Sequence, residues 1–386
     1  MAAKKKKLKV FSFLPTEDFV RPLGRSVMLD DCRLLSLSAS GVEFTYTGKM
    51  LIVNFYGDST TTVPEVEPQP WRDQARVMVI VDGIIHLDTV IKKERETFVV
   101  YGDDPMLPVE KHVVKIVKLS EPRMSSVGLG TITVQAEHKD GVDFKVNPPV
   151  KPTKKSKKYI EFIGDSITCG YGADTPNDLY PFSTPTENCA KAFAYVTAQM
   201  LEADYSLVSY SGHGIISGYT SNPKVPKLTE LVPPYYEIFS YSYNTFRGME
   251  MQKIPWDCKK ERKPDIVVIN LGTNDDSYVQ QDMDKRAYFE EKYVEFLEQV
   301  HRVRPKAAII CAFGIMGDNL YSSEVKAVEE FKKKSGFEQV YNVYLAPQDV
   351  ERNGIASCCH PSPASHYEAA QVLADFIRSL GGKYAL

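Results

Sequence analysis

Several things this sequence lacks narrow what it can do. No apolar run approaches the ~20 residues that cross a bilayer as a helix, so no membrane span is expected. Charge of one sign is not in excess: 47 Lys and Arg stand against 50 Asp and Glu, a net charge of −3. A nucleic-acid partner usually demands a basic face, and none is expected. The opening MAAKKKKLKVFSFLP has a basic cluster, but the apolar stretch behind it is short and broken. A secretory signal needs an apolar core of roughly 7–15 residues and a small-residue cleavage site. Neither is present, and the lysine run reads as a solvated tail. Seven cysteines, at 32, 169, 189, 258, 311, 358 and 359, have neither the paired spacing of a zinc site nor that of a disulfide framework. They read as small apolar residues of a reduced protein, and a cytoplasmic location is expected. The histidines form no metal-ligand box with them, and no pair of acids stands out as a glycosidase couple. Neither metal nor cofactor is expected.

What is present falls into two halves. A chain of 386 residues can hold two domains, and 43% hydrophobic with 25% charged residues is a globular composition. Residues 1–150 read as strands: 41–57, 75–91, 97–102, 110–121 and 129–144 are rich in Val, Ile, Thr and Phe and broken by Gly and Asp turns. Many short strands with frequent turns indicate a β-sandwich of jelly-roll type. The stretch VNPPVKPTKKSKK (146–158) has little to bury, and residues 151–158 read as a linker.

From 159 to 386 strands alternate with helices. YIEFIG (159–164) and the runs at 205–211, 265–270, 307–314 and 340–346 are nearly continuous in apolar residues, as in strands buried on both faces. Between them MDKRAYFEEKYVEFLEQVHRV places Tyr293, Phe296, Leu297 and Val300 on one helical face. Ser362 and Pro363 are an N-cap and first-turn pair for a last helix. Such alternation predicts a mostly parallel sheet with helices on both faces, and in such sheets ligands bind at the carboxyl ends of the strands.

Four polar loops fall at those ends: Gly164-Asp165-Ser166, Ser211-Gly212-His213-Gly214, Gly272-Thr273-Asn274-Asp275, and the segment SCCHPSPASH with His360. A serine needs a base to become a nucleophile, and acyl transfer needs donors aimed at the oxyanion. Ser166 could attack with His360 as base, while the N–H groups of Ser166 and Gly212 and the Asn274 side-chain amide bind the oxyanion. A Cβ at Gly212 would obstruct a close approach of backbone to ligand. Thr168 stands where the second glycine of a G-x-S-x-G elbow belongs, so that motif is excluded. Other readings stay open: Ser166 as a simple N-cap, His213 as the base. His366 in the last helix, Asp165 and Asp275 read as structural. The tyrosine-rich excursion 219–246 is either a cover over one end of the sheet or a wall of a substrate cleft.

In this order, GDS, SGHG, GTND and HP resemble the four blocks of the SGNH (GDSL-type) hydrolases. The β-rich first half, WDCKKERKPDIVVINLGTND and HPSPASH resemble carbohydrate esterase family two more narrowly, from roughly residue 35 to the end. The resemblance implies a jelly-roll domain beside an SGNH domain, and removal of acetyl groups from xylan and related polysaccharides. It implies Ser166 as nucleophile, His360 as base, and Ser166, Gly212 and Asn274 as the oxyanion hole. The expected partner is an acetylated carbohydrate, an oligosaccharide if the protein is cytoplasmic; a homo-oligomer is left open. One departure stands out. Where such enzymes usually place an aspartate, two or three residues before the histidine, this chain has Cys358 and Ser357. The third triad member is therefore unassigned: a backbone carbonyl, or Asp349 or Glu351, is left to orient His360. The alternatives to an acetyl esterase are an SGNH lipase or thioesterase, and a carbohydrate-binding protein with a decayed site.

Overall fold

The structure is a computed structural model that describes residues 7–63, 73–102, 108–138, 144 and 147–384. The lysine cluster, apart from Lys7, and residues 139–143 of the expected strand 129–144 lie outside the described residues.

The first half is one large antiparallel sheet. Its strands are β1 (Lys7–Phe13), β2 (Arg21–Leu23), β3 (Ser26–Met28), β4 (Arg33–Leu35), β5 (Gly41–Gly57), β6 (Arg76–Val81), β7 (Ile84–Val90), β8 (Arg95–Tyr101), β9 (Glu110–Lys118), β10 (Val127–His138) and β11 (Val150–Pro152). They run in the order β3-β4-β10-β5-β9-β6-β7, with β1 added on β10 and β2, β8 and β11 on β5. The 17-residue β5 is the backbone of this half. Val42, Phe44 and Tyr46 are buried, and then the parity switches to Leu51, Val53 and Phe55. The switch occurs at Lys49, an extra residue where β10 steps from Met50 to Gly48. A bulge of this kind bends and twists a strand. One half of β5 thereby pairs with β9 and the other with β8, around a shared apolar core. Hairpin β6–β7 turns at Asp82 and Gly83, both at positive φ, as a two-residue turn matched to the strand twist requires. The lysine- and proline-rich segment after it all carries β11, which pairs with β5.

The second half is an α/β unit. Strands β12 (Tyr159–Gly164), β13 (Asp204–Ser209), β16 (Ile266–Asn270), β17 (Ala308–Gly314) and β18 (Val340–Leu345) form a parallel sheet in the order β13-β12-β16-β17-β18. Hairpin β14 (Thr245–Phe246) and β15 (Met249–Glu250) lies within the excursion between β13 and β16. The helices are α1 (Ser166–Cys169), α2 (Phe193–Met200), α3 (Pro233–Tyr236), α4 (Thr273–Val279), α5 (Met283–Val303), α6 (Tyr321–Ser335), α7 (Val350–Asn353) and α8 (Pro363–Ser379). Alternate strand residues face two cores: Ile160, Phe162 and Val268 pack with α2 and α8, while Ile163, Val267 and Ile269 pack with α5 and α6. This two-sided burial is why the strands read as unbroken apolar runs.

The two halves share an interior. Leu23, Met78, Val117 and Leu119 of the antiparallel sheet belong to the core on the α2/α8 side. Beside it Glu161, fully buried, receives Arg304 Nη2 at 2.7 Å and the Tyr236 hydroxyl at 2.8 Å. Arg25 of the first half lies 3.6 Å from the same carboxylate and 2.9 Å from Glu261, and donates to the Tyr236 and Ile238 carbonyls. Buried charge in this arrangement is paired on every side, which is what makes it tolerable away from water.

Candidate active site

At the carboxyl end of β12 the chain turns sharply into α1. Gly164 permits the turn: a Cβ there would stand 2.0 Å from Thr168 Oγ1. Asp165 caps the short helix, its Oδ1 accepting the Ile167 N–H at 3.0 Å. Ser166 follows at the first helical position, only 6% exposed. Its Oγ lies 2.8 Å from His360 Nε2, across 194 residues of chain.

The loop that brings His360 there is tightly tied. Ile355 bridges Pro361, and the Ala356 N–H donates to the His360 carbonyl at 2.9 Å. The Ser357 N–H donates to Thr175 Oγ1 at 2.7 Å, and Ser357 Oγ donates to the Tyr180 carbonyl at 2.5 Å. Cys358 and Cys359 both adopt positive φ, 52° and 64°. That turn folds the Ser357 and Cys358 carbonyls back onto His360 Nδ1, at 3.0 and 3.1 Å. A carbonyl can only accept, so Nδ1 carries the proton, Nε2 presents its lone pair, and Ser166 donates to it. The Tyr171 ring stacks on the imidazole at 4.2 Å and on Phe182 at 3.9 Å. Burial of the charged form pushes His360 down to about 4, opposed in part by the two carbonyls. The histidine is neutral at pH 7.

Among the described residues no carboxylate hydrogen-bonds His360. Asp349 and Glu351 are exposed at the start of α7, where Asp349 caps the helix by accepting the Arg352 N–H at 3.1 Å. His213 is fully buried among Tyr210, Tyr235 and Tyr241, with Nδ1 3.1 Å from the Ser211 carbonyl; among the described residues no serine hydroxyl bonds to it. His366 accepts the Phe193 N–H at the start of α2, at 3.3 Å.

Two further loops close around Ser166. Gly212 follows β13 at φ 77°, and among the described residues its N–H donates to no acceptor. The neighbouring Ser211 N–H is held at 2.8 Å by Glu121, a buried acid from the antiparallel half. Glu121 in turn faces Glu187, whose carboxyl is held well above the usual range by burial and by that charge. Asn274, in the first turn of α4, donates through Nδ2 to Asp165 Oδ2 at 3.0 Å and to the His213 carbonyl at 2.9 Å. Both of its N–H groups are thus engaged, and they tie three of the four loops together. Asp275 accepts the N–H groups of Ile215, Ile216 and Ser217, an anchor for the loop after Gly212. Burial pushes Asp165 up to about 7 and Asp275 up to about 6.

The sequence pointed to Ser166, His360, Gly212 and Asn274, and the fold brings all four loops to one end of the parallel sheet. It did not point to Tyr171, which braces the imidazole, or to Glu121. Tyr171 lies only five residues after Ser166, but nothing local marks it. Glu121 comes from the half of the chain with no motif of its own.

A serine hydroxyl donating to a neutral, tautomer-locked imidazole at the carboxyl ends of a parallel α/β sheet is equipped for serine-type ester hydrolysis. The chain belongs to the GDSL-like Lipase/Acylhydrolase family, whose model matches residues 162–367. It is 33% identical over 62% of its length to the cellulase/esterase CelE of Acetivibrio thermocellus, of which it spans only 28%. It is 29% identical over 69% of its length, and 68% of the relative's, to an acetylxylan esterase / glucomannan deacetylase of Cellvibrio japonicus. Among solved structures, the acetyl xylan esterase Est2A of Butyrivibrio proteoclasticus superimposes with a TM-score of 0.79 at 20% identity, over 97% of this chain and 98% of that one. A family two carbohydrate esterase of Clostridium thermocellum, in complex with cellohexaose, gives a TM-score of 0.73 at 25% identity, over 94% and 98%. The two-domain architecture, an antiparallel sheet domain followed by a GDSL-type domain, is therefore shared with these two solved structures. No helix among the described residues is long and apolar enough to cross a membrane.

Proposed function

We propose that this chain is a serine esterase that removes O-acetyl groups from acetylated xylan, xylo-oligosaccharides or related sugars. The reading rests on one observation above all, the 2.8 Å contact between Ser166 Oγ and His360 Nε2, with Nδ1–H held by two carbonyls. Its choice of substrate rests on the relatives named acetylxylan esterase.

In this mechanism Ser166 Oγ attacks the acetyl carbonyl carbon while its proton passes to His360 Nε2. The tetrahedral oxyanion is received by the N–H groups of Ser166 and Gly212 and by Asn274, which shares one of its N–H groups with the incoming oxygen. The C–O bond to the sugar breaks, and the imidazolium protonates the leaving sugar oxygen. Water then gives a proton to His360 and attacks the acetyl-serine; the bond from the acyl carbon to Ser166 Oγ breaks, His360 returns the proton to Oγ, and acetic acid leaves, ionising to acetate in solvent. The Ser357 and Cys358 carbonyls stand in for a triad acid, fixing the tautomer without supplying a full charge. We further propose that the antiparallel half is a β-sandwich of jelly-roll type, bounded at about residue 150, and that the protein works in the cytoplasm on oligosaccharides. All seven cysteines are free thiols, in keeping with that location.

The test is acetate release from acetylated xylo-oligosaccharides by the wild type and by Ser166→Ala, with circular dichroism as the check on folding. The variant is expected to lose turnover by many powers of ten. A folded variant that keeps even a tenth of the wild-type rate would sink the assignment.

A further inference from the structure

The loop after β9 carries Arg123 out of the antiparallel half to the edge of the site. A Cβ built on Gly212 would stand 3.3 Å from Arg123 Nη1 and 3.3 Å from Glu230 Oε2, so the two groups flank the space over the glycine. The Arg123 side chain is 15% exposed, and its guanidinium makes no hydrogen bond to any described residue. The nearest carboxylate oxygen among the described residues, on Glu121, is 3.8 Å from Nε, beyond hydrogen-bond reach. The Tyr243 ring lies under it at 5.5 Å. Arg123 is also close enough to Tyr171, the ring stacked on His360, for the two to interact electrostatically. Across the gap, Glu230 Oε1 is taken by the Tyr243 hydroxyl at 3.0 Å and by Lys227 at 2.8 Å, while Oε2 has no donor among the described residues.

Burying donors without acceptors is costly unless a ligand supplies them. Here a donor and an acceptor face one another beside Gly212, the glycine assigned to the oxyanion hole. A hydroxyl satisfies both, since it donates and accepts at once; the alcohol part of a simple alkyl ester satisfies neither. We propose that Arg123 and Glu230 bind a free sugar hydroxyl next to the acetylated one, and so select esters of polyols. This rests on the acetyl-sugar reading and adds to it a specificity-determining pair, one member of which comes from the antiparallel half.

The experiment compares kcat/KM for monoacetylated methyl xylosides with that for their deoxy analogues, each lacking one hydroxyl beside the ester. The wild type is expected to prefer at least one parent over its deoxy partner by about 10–100-fold, the range of a hydrogen bond to a charged group. Arg123→Met should bring that ratio close to one, and Arg123→Lys should recover part of it. Should Arg123→Met fail to fold, Arg123→Lys against wild type carries the same comparison, with a reduced ratio expected. A wild type indifferent to every deoxy substitution overturns the proposal, as does an Arg123 variant that slows both substrates equally and leaves the ratio intact. If the wild type hydrolyses none of the sugars but does hydrolyse an aryl acetate, the acetyl-sugar reading itself has failed, and the pair's role with it.

Discussion

The low proton affinity of His360 gives a sharp expectation for the acid side of the rate profile. A base must be neutral to take the serine proton, so kcat/KM tracks the neutral fraction of His360 in the free enzyme. Two influences oppose each other there. Desolvation disfavours imidazolium and is the larger; the Ser357 and Cys358 carbonyls favour it and are the smaller, taking the group from 6.5 down to about 4. A triad carboxylate in their place would push the other way, because a full negative charge beside Nδ1 stabilises imidazolium. At pH 5 a base of pKa about 4 is roughly 90% neutral, whereas one at the ordinary 6.5 is about 3% neutral, a difference of about thirtyfold in rate. The acid limb is therefore expected well below pH 6. The assay is kcat/KM for an acetylated sugar between pH 4 and 8, with circular dichroism at each pH to separate titration from unfolding. Half-maximal activity near pH 6.5 or above, with the fold intact, would refute the reasoning and point to a carboxylate reaching His360 in solution.

Three other outcomes follow from the same geometry. Asn274→Ala is expected to lower kcat by about 10²–10³ with a much smaller change in KM, as for a lost oxyanion donor; an effect confined to KM would make it a binding residue. Asp349→Asn and Glu351→Gln should each leave kcat within about a factor of ten, far from the roughly 10⁴ that a triad acid is worth, because both lie exposed at the start of α7; steady-state kinetics decide it. Glu161→Gln should destabilise the protein by about 3 kcal/mol or more in urea unfolding, since buried Arg304 would lose its main partner and Arg25 its second. A loss under 1 kcal/mol would mean that water reaches the cluster.

Much of this was legible in the sequence wherever a period or a turn carried the signal. The long strand β5 coincides with the run 41–57, and the five parallel strands fall on the five apolar runs, because burial on both faces leaves no room for polar alternation. Strands β2, β3, β4 and β11 escaped notice for the opposite reason. Three residues make no period, and these strands form where a neighbour offers an edge: β5 for β2 and β11, β10 for β4, and β4 in turn for β3. Ser166, Gly212 and Asn274 could be read because each lies in a loop just after a buried strand, and His360 because it stands just before the Ser362-Pro363 start of the last helix. What held His360 could not be read. Its partners are main-chain carbonyls, and main chain has no letter in a sequence; only the paired positive φ values at Cys358 and Cys359 show how they reach Nδ1.

The hydrogen bond from Ser211 to Glu121 also bears on how such a protein can be inherited. The amide just before Gly212 is held by an acid that lies in the other half of the chain, two residues from the arginine that flanks the same glycine. Recombination that exchanged the antiparallel half for another would not swap one accessory for another. It would remove an anchor of the second strand-end loop and strand its N–H in the interior. A successful exchange must therefore bring its own acceptor to that spot, which couples the two halves even though only one of them carries a family motif.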